Sequence, residues 1–292
     1  MNKDNVVIEP LNREHKPLSS YMAEKMKDML YGFIVGDALG VPYEFKKRAE
    51  MEKHPASDMV GGGTHKMPVG TWSDDTSLTL ALLDSIAGNK GVNETDIGDK
   101  FLSWYFDSKY TATGTVFDCG VTTAIALEKI RDGERPFSAG GAEETDNGNG
   151  ALMRILPLAF YFTLTKYDKE TLRNVAGITH AHEISQKCCE EYMEILMALI
   201  GGESISFKEE VPEENTGFVV TTLKAAKWCM MFSSYEEAVL KAVNLGEDTD
   251  TVAAVTGSMA GAIWGVPEKW KSAIKNKELI EEVFERFVDS FK

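Results

Sequence analysis

Apolar positions along the chain recur at spacings of three and four residues, which is the pattern of helices that bury one face. In the first such stretch, which begins at Tyr21, Met26, Leu30, Phe33 and Asp37 fall on one side. The sequence has no sustained alternation of apolar and polar residues, and no Asn-Gly turn joins two apolar runs. The pattern therefore predicts a single all-α domain.

The same periodicity predicts the other helices. They cover residues 78–86, 101–106, 121–130, 158–164, 183–200, 216–231, 235–243, 252–264 and 278–291. Residues 1–20 are polar, contain two prolines and are predicted to form an extended arm. The predicted organisation is an arm at 1–20 followed by one domain at 21–292.

Two helices carry glycine at every fourth position, a spacing that permits close helix approach. The first repeat is Gly32, Gly36 and Gly40, and the second is Gly257, Gly261 and Gly265. We expect these two glycine faces to pack together. Such packing would bring the acidic residues Asp248–Thr251 near Glu44 and Ser73.

The charge balance limits the possible partners. The chain has 31 basic and 46 acidic residues, a formal net charge of -15. Nucleic acids and anionic membranes require basic surfaces, so neither is expected as a partner. An anionic substrate would have to be held by backbone amides, helix N-termini or metal ions.

Cysteine usage and hydropathy predict a soluble cytoplasmic protein. The four cysteines have no CxxC spacing, which is typical of reduced thiols. The N-terminal residues have no apolar segment of the signal-peptide type, and the small-residue run 252–266 is too short to span a bilayer comfortably.

Two acidic clusters each precede a predicted helix. One is Ser73-Asp74-Asp75-Thr76, and the other is Asp248-Thr249-Asp250-Thr251. Taken singly, each is best explained as a helix cap, because Ser, Thr and Asp are preferred there. The adjacent carboxylates would repel one another, and a divalent cation bound between the two clusters would remove that repulsion. Position alone also leaves two roles for Asp37, a paired buried carboxylate or a helix-end residue facing solvent.

The segment 138–150 is a glycine-rich loop that runs into a predicted helix. The exposed amides of Asn147-Gly148-Asn149-Gly150 and the helix N-terminus suit an anion such as a diphosphate, but the pattern by itself favours an ordinary flexible loop. Arg154 is a candidate either for phosphate binding or for a buried ion pair. His180 and His182 have no partners at a recognised zinc spacing, so a zinc site is disfavoured.

Six motifs occur together in one order along the chain. They are Gly36-Asp37-Ala38-Leu39-Gly40 followed by Glu44; Trp72-Ser73-Asp74-Asp75-Thr76; Phe117-Asp118-Cys119-Gly120; Gly148-Asn149-Gly150 with Met153-Arg154; Thr179-His180; and Gly246-Glu247-Asp248-Thr249-Asp250-Thr251. In these motifs the sequence resembles the ADP-ribosylglycohydrolase family. The similarity extends to bacterial enzymes such as dinitrogenase reductase-activating glycohydrolase and to the ADP-ribosylarginine hydrolases. It covers nearly the whole chain apart from the arm.

The resemblance implies a compact orthogonal assembly of helices that holds two divalent cations, Mg²⁺ or Mn²⁺. The implied metal ligands are Ser73, Asp74, Asp75, Asp248, Asp250 and Thr251. Cys119 stands where aliphatic residues are common, and we interpret it as a small buried hydrophobic residue rather than a nucleophile.

The resemblance also implies the chemistry. The family hydrolyses the bond at the anomeric carbon of the distal ribose of ADP-ribose. Glu44 and Asp118 are expected to be the catalytic carboxylates that handle protons or position water, with their division of roles open. The expected substrate-binding residues are Gly120, Gly148, Asn149, Gly150, Met153 and His180.

The expected function is metal-dependent removal of ADP-ribose from modified proteins by a monomeric enzyme, with arginine as the modified residue. Two alternatives remain open at the level of sequence. One is hydrolysis of another ADP-ribosyl linkage, such as serine or a small-molecule ester. The other is a non-catalytic ADP-ribose-binding protein, which the retention of oxygen side chains at all six ligand positions disfavours.

Overall fold

The computed structural model describes residues 18–292, and within that range the chain forms thirteen α-helices. They are α1 Ser20–Gly40, α2 Arg48–Lys53, α3 Asp74–Asn89, α4 Glu94–Asp107, α5 Val121–Arg131, α6 Leu156–Leu164, α7 Lys169–Gly177, α8 Glu183–Ile200, α9 Val219–Cys229, α10 Tyr235–Val243, α11 Thr249–Trp264, α12 Glu268–Ala273 and α13 Lys277–Ser290. Four short 3-10 helices lie in the connections, at Val41–Tyr43, Pro136–Ser138, Glu144–Asp146 and Leu152–Arg154. Strand pairing in the described range is limited to isolated bridges, so the all-α prediction is confirmed.

The arm predicted for residues 1–20 lies outside the described residues except for its last three positions. Ser19 is the N-cap of α1, and its hydroxyl oxygen accepts a hydrogen bond of 3.2 Å from the Met22 amide. The helix therefore begins at Ser20, one residue before the predicted start. The division into an arm and a domain stays a prediction.

Most predicted helices occur where the apolar periodicity places them. α8 and α10 have the predicted bounds. α3 and α11 begin earlier, at Asp74 and Thr249, because the polar residues before the apolar run already form the first helical turn. The periodicity predicts none of α2, α7 and α12.

The glycine faces of α1 and α11 pack against each other, as predicted. A Cβ atom added to Gly32 would overlap with the carbonyl oxygen of Gly257, and one added to Gly36 would overlap with that of Ala253. Gly261 is equally close to the backbone of α1. Gly265 was wrongly included in this face, because it is the C-cap of α11 and no atom lies within 4 Å of its Cβ direction.

α11 occupies the centre of the fold and sets the position of its acidic cluster. Every residue from Thr249 to Gly261 is buried, and the helix packs against α1, α3, α8, α9 and α10. The Thr249 hydroxyl donates a hydrogen bond of 2.8 Å to the carbonyl oxygen of Gly40, the last residue of α1. The Thr251 hydroxyl donates one of 3.3 Å to Asp75 in the first turn of α3. Three helix ends therefore meet at one place.

Asp37 joins α1 to the start of α3. Its fully buried carboxylate accepts hydrogen bonds from the amides of Ser73 and Thr76 and from the Thr76 hydroxyl. Of the two roles left open by the sequence, the structure shows the paired buried carboxylate. The contact satisfies amides at the N-terminus of α3 that have no partner within the helix.

None of the described helices is long and apolar enough to cross a membrane. The longest helix in the described range, α1, has 21 residues and carries Lys25, Asp28 and Asp37 among them.

Candidate active site

A cavity of about 450 Å³ opens where the first turns of α3 and α11 meet. Its lining combines carboxylates, a glycine-rich loop and a few apolar side chains. The lining residues are Glu44, Phe45, Asp74, Asp75, Asp118, Cys119, Gly120, Val121, Thr122, Thr123, Gly148, Asn149, Gly150, Met153, His180, Thr216, Gly217, Glu247, Asp248 and Thr251. Of the residues that the sequence assigns to the site, only Ser73 and Asp250 do not line it.

Those two residues lie directly behind the lining. Ser73 is the N-cap of α3, and its hydroxyl oxygen accepts a hydrogen bond of 3.2 Å from the Asp75 amide. Asp250 is buried in the first turn of α11 and accepts a hydrogen bond of 2.9 Å from the Thr251 amide. Both therefore adjoin carboxylates that do face the cavity.

The carboxylates are crowded and have no lysine or arginine partner in the described lining. Burial raises the pKa values of Asp74, Asp75 and Asp250 well above the usual range, and neighbouring carboxylates raise them further. One carboxylate oxygen of Asp75 and one of Asp250 are buried without a hydrogen-bond partner among the described residues. No lysine or arginine occurs in the described lining.

This donor set fits a divalent cation. Magnesium and manganese prefer carboxylate and hydroxyl oxygens, and here such groups converge from the starts of two helices. A bound cation would provide a partner for the two buried oxygens and offset the repulsion that raises the pKa values. The chemistry of the residues therefore agrees with the metal site expected from the sequence.

The side chain of Asp248 was expected to cap a helix, but it does not do so. It occupies the N-cap position of α11 but makes no side-chain capping hydrogen bond. Its carboxylate instead accepts a hydrogen bond of 2.6 Å from the side-chain amide of Asn149. The backbone of the turn is held separately, because Asn215 donates to the carbonyl oxygens of Gly246 and Asp248. Asp248 therefore connects the acidic cluster to the glycine-rich loop.

Glu44 and Asp118 lie together at the cavity. Glu44 follows the end of α1, and Asp118 lies just before α5 in the left-handed backbone region, with φ of 55°. Burial is the main cause that raises the pKa of each carboxyl group, and the negative charge of Glu44 raises that of Asp118 further.

His65 completes this group, and the sequence analysis missed it. Its Nε2 atom contacts the Glu44 carboxylate, and ligand atoms of Glu44, His65 and Asp118 all lie within 4.8 Å of one another. Its ring packs against Phe117, with centroids 5.0 Å apart. A lone histidine after three glycines has no spacing that signals this role, since its partners are distant in sequence.

The glycine-rich loop is shaped by its contact with His180. A Cβ atom added to Gly150 would lie 2.6 Å from the imidazole, and one added to Gly148 would lie 3.2 Å from it. The Asn149 amide donates to the carbonyl oxygen of Gly217 at 3.0 Å, so it is not available to an anion. The helix that follows the loop is the short 3-10 helix Leu152–Arg154.

His180 is held as a neutral imidazole. The guanidinium group of Arg154 donates to the Thr179 hydroxyl at 3.0 Å, and that hydroxyl lies 2.8 Å from His180 Nδ1. Burial, aided by the charge of Arg154, lowers the pKa of His180 to about 3. The hydroxyl hydrogen is thus directed to Nδ1, which leaves the proton of the ring on Nε2, the atom nearest Gly148.

Arg154 has neither of its two predicted roles. It is fully buried, does not line the cavity and forms no ion pair in the described part of the chain. Its guanidinium group donates to the backbone carbonyl oxygens of Gly150, Val175 and Ala176. It therefore supports the glycine-rich loop and the end of α7.

Cys119 was expected to be a buried hydrophobic residue, but it is half-buried and lines the cavity. Burial raises the pKa of its thiol, which keeps it protonated and unreactive, as expected. The lining residues that sequence reasoning did not assign include Phe45, Val121, Thr216 and Glu247. Each is an ordinary loop or helix-end residue in the sequence and becomes recognisable only through the fold.

Comparison with known proteins gives one consistent result. The sequence profile of the ADP-ribosylglycohydrolase family matches residues 19–214 and 205–292. The ADP-ribosylarginine hydrolase Tri1 of Serratia proteamaculans is 31% identical over 297 residues, which cover 90% of this chain and 78% of that protein. The ADP-ribosyl-(dinitrogen reductase) glycohydrolase of Rhodospirillum rubrum is 29% identical over 285 residues, covering 89% of this chain and 92% of that protein.

A solved structure agrees with these sequence matches. The chain described as an ADP-ribosylglycohydrolase-related protein complex superposes with a TM-score of 0.79 and 28% sequence identity. The superposition covers 94% of this chain and 100% of that one. The likeness therefore extends over the whole described fold.

Proposed function

The chain belongs to the ADP-ribosylglycohydrolase family and is a hydrolase, and we propose that it removes ADP-ribose from modified arginine side chains. The observation that carries this proposal is the cavity at the meeting of α1, α3 and α11, where buried carboxylates face a glycine-rich loop. The proposed linkage is supported by similarity to proteins named for ADP-ribosylarginine and for ADP-ribosyl dinitrogen reductase.

Two divalent cations, Mg²⁺ or Mn²⁺, are the proposed cofactors. Their proposed ligands are the hydroxyl and carboxylate oxygens at the starts of α3 and α11, contributed by Ser73, Asp74, Asp75, Asp248, Asp250 and Thr251. The unpartnered buried oxygens of Asp75 and Asp250 support this assignment. When bound, the cations supply positive charge and Lewis acidity to the ribose and the attacking water.

Glu44 and Asp118 are the proposed proton-handling residues. Hydrolysis adds water across the bond at the anomeric carbon: the oxygen joins carbon, and one proton reaches the departing nitrogen of arginine. A carboxylate must accept a proton from the water, and a carboxylic acid or solvent must supply one to the leaving group. Both carboxyl groups line the cavity and burial raises both pKa values, so one group can hold a proton while the other is ionised, which suits both steps. His65 orients Glu44 by hydrogen bonding.

The glycine-rich side of the cavity is the proposed ADP-ribose site. Its residues are Gly120, Gly148, Asn149, Gly150, Met153 and His180. His180 offers a neutral Nε2–H donor to phosphate or ribose oxygens, so it attracts the ligand by hydrogen bonding rather than by charge. Because Gly148 and Gly150 have no side chains, both the His180 imidazole and the substrate can approach the backbone of this loop.

The proposed partner is an ADP-ribosylated protein or ADP-ribosyl small molecule, and the enzyme is proposed to act as a cytoplasmic monomer that binds neither nucleic acid nor membranes. The net charge of -15 supports the absence of polyanionic partners. All four cysteines are free thiols, which agrees with a reducing compartment.

One experiment tests this function. Purified protein is given arginine-linked and serine-linked ADP-ribosyl peptides, with Mg²⁺ or Mn²⁺ and with a chelator, and released ADP-ribose is measured. Asp248→Asn is compared with Asp99→Asn, a change of an exposed aspartate that does not line the cavity. We expect metal-dependent release from the arginine-linked peptide that Asp248→Asn abolishes and Asp99→Asn leaves intact. Release insensitive to both chelator and Asp248→Asn would exclude the metal assignment, and no release would exclude the hydrolase function on this linkage.

A further inference from the structure

Phe45 and Glu247 lie side by side on the cavity and are joined through their backbones. The Phe45 amide donates a hydrogen bond of 2.7 Å to the Glu247 carbonyl oxygen, and the Glu247 amide donates one of 2.7 Å to the carbonyl oxygen of Lys46. Two segments that are about 200 residues apart are therefore fixed against each other. The backbone positions from which the two side chains extend are therefore held together.

Both residues adopt a backbone conformation that is unfavourable for any residue except glycine. Phe45 has φ of 64° and Glu247 has φ of 59°, within the left-handed region. Gly246, the preceding residue, also has positive φ, and a Cβ atom there would lie 2.7 Å from the backbone of Lys46 and Arg48. Glycine at 247 would relieve the strain, yet the chain has glutamate. Backbone strain of this kind clusters at active sites and ligand contacts.

The side chains of both residues are available to a ligand. The Phe45 side chain is 61% exposed although it lines the cavity. The Glu247 carboxylate is half-buried and has no hydrogen bond or ion pair with any residue in 18–292. The nearby cations are engaged elsewhere: Lys46 lies over the ring of Tyr43, and Arg48 donates to the carbonyl oxygens of Pro212 and Leu245.

We propose that Phe45 and Glu247 form the leaving-group subsite of this enzyme and select a guanidinium group. This inference rests on the proposed hydrolase function. An aromatic face attracts the planar guanidinium, and a carboxylate binds its N–H groups with two hydrogen bonds. An exposed aromatic ring beside an unpaired carboxylate therefore suits modified arginine. A serine hydroxyl offers neither positive charge nor a planar group.

The test separates recognition of the guanidinium from recognition of ADP-ribose. Glu247→Gln removes the charge, Phe45→Leu removes the aromatic face, and Glu134→Gln, at an exposed glutamate that does not line the cavity, is the matched control. KM and kcat are measured on an arginine-linked ADP-ribosyl peptide. Binding of N-methylguanidinium and of neutral N-methylurea to the protein loaded with ADP-ribose is measured by calorimetry.

We expect Glu247→Gln to raise KM about threefold to fivefold and to abolish the preference for methylguanidinium over methylurea, in line with a partly exposed ion pair. Phe45→Leu should weaken methylguanidinium about threefold. Affinity for ADP-ribose alone should stay within about twofold in both variants, and Glu134→Gln should match the wild type.

A further variant separates the carboxylate from the backbone. Glu247→Gly relieves the strained φ, so it should raise the melting temperature and still lose guanidinium preference. Wild-type KM or wild-type methylguanidinium affinity in either Glu247 variant overturns the proposed subsite. Equal binding of the two probes by the wild type overturns it as well. Failure of the wild type to cleave the arginine-linked peptide refutes the proposed function, whereas the binding measurement still decides the subsite.

Discussion

The sequence pattern places Asp37 on the apolar side of a helix. The pattern does not identify the hydrogen-bond donors to its carboxylate, which the structure shows. They are the amides and hydroxyl at the start of α3, 36 and 39 residues further along the chain. Periodicity reports which face a residue occupies, but hydrogen-bond partners depend on how helices pack. The same limit explains why His65 was missed and why the partners of Arg154 were wrongly predicted.

Replacing Asp37 by alanine should destabilise the fold. The change leaves the Ser73 and Thr76 donors buried without an acceptor, and the free energy of unfolding should fall by about 3 kcal/mol. Urea denaturation of Asp37→Ala measures this loss. Asp99→Ala, at an exposed position of α4, should change stability by less than about 0.5 kcal/mol. Equal stability of the two variants would show that the Asp37 contacts are not needed.

Asp118→Asn should abolish catalysis while preserving the cavity. Asparagine tolerates the left-handed backbone at this position, so the fold is expected to persist. Loss of a proton-handling group typically lowers kcat by about 100-fold to 10,000-fold. Turnover of the arginine-linked substrate gives the rate, and titration with ADP-ribose checks that binding survives. A variant with wild-type kcat would remove Asp118 from the proposed mechanism.

At the scale of helices, the sequence predicts long amphipathic elements well and short ones poorly. α8 and α10 have several buried positions at helical spacing, and the predicted bounds are confirmed. α2 and α12 bury one residue each, Met51 and Trp270, so they leave no periodic pattern. Both are six residues long and depend on tertiary contacts.

The close packing of glycines between α1 and α11 predicts that a larger residue there destabilises the protein. Gly36→Ala would place a methyl group against the backbone of Ala253 and push the helices apart, so stability should fall by about 1–3 kcal/mol. Gly88→Ala is the matched control: it lies in α3 with no atom within 4 Å of the added carbon. It should stabilise the protein by up to about 1 kcal/mol, because alanine favours helices over glycine.

Thermal unfolding of the two glycine variants measures these opposite effects. Because Asp250 lies in α11 and Asp248 is its N-cap residue, Gly36→Ala should also weaken activation by Mg²⁺. An unchanged melting temperature in Gly36→Ala would contradict the close packing of the two helices.

At the scale of the whole molecule, the acidic cluster links stability to pH and to divalent cations. Burial raises the pKa values of Asp74, Asp75 and Asp250 above those of the unfolded chain. Without metal, the stability tied to their protonated forms is fully present below the usual carboxyl range, near pH 4, and is lost as pH rises through the raised values. Burial also raises the pKa of Asp118 to about 7 and that of Glu44 to about 8. The metal-free protein should therefore melt at lower temperature as pH increases from about 5 to about 8.

Bound cations should oppose this trend, because only ionised carboxylates act as ligands. Mg²⁺ at about 100 times its dissociation constant should add about 2.7 kcal/mol of stability. Melting temperatures measured across this pH range, with chelator and with Mg²⁺, give the two curves. The gap between them should widen with pH and shrink in Asp250→Asn. Curves that coincide at every pH would contradict cation binding by the cluster.

The contact between α1 and α11 also determines the stage of protein synthesis at which the active site can form. Gly40 and Asp250 touch although 210 residues separate them, and the cavity needs residues from both helices. A nascent polypeptide still on the ribosome therefore has no complete site until α11 has left the exit tunnel. Hydrolysis of ADP-ribosyl bonds accordingly requires that α11 has been synthesised, and products truncated before α11 are expected to be inert.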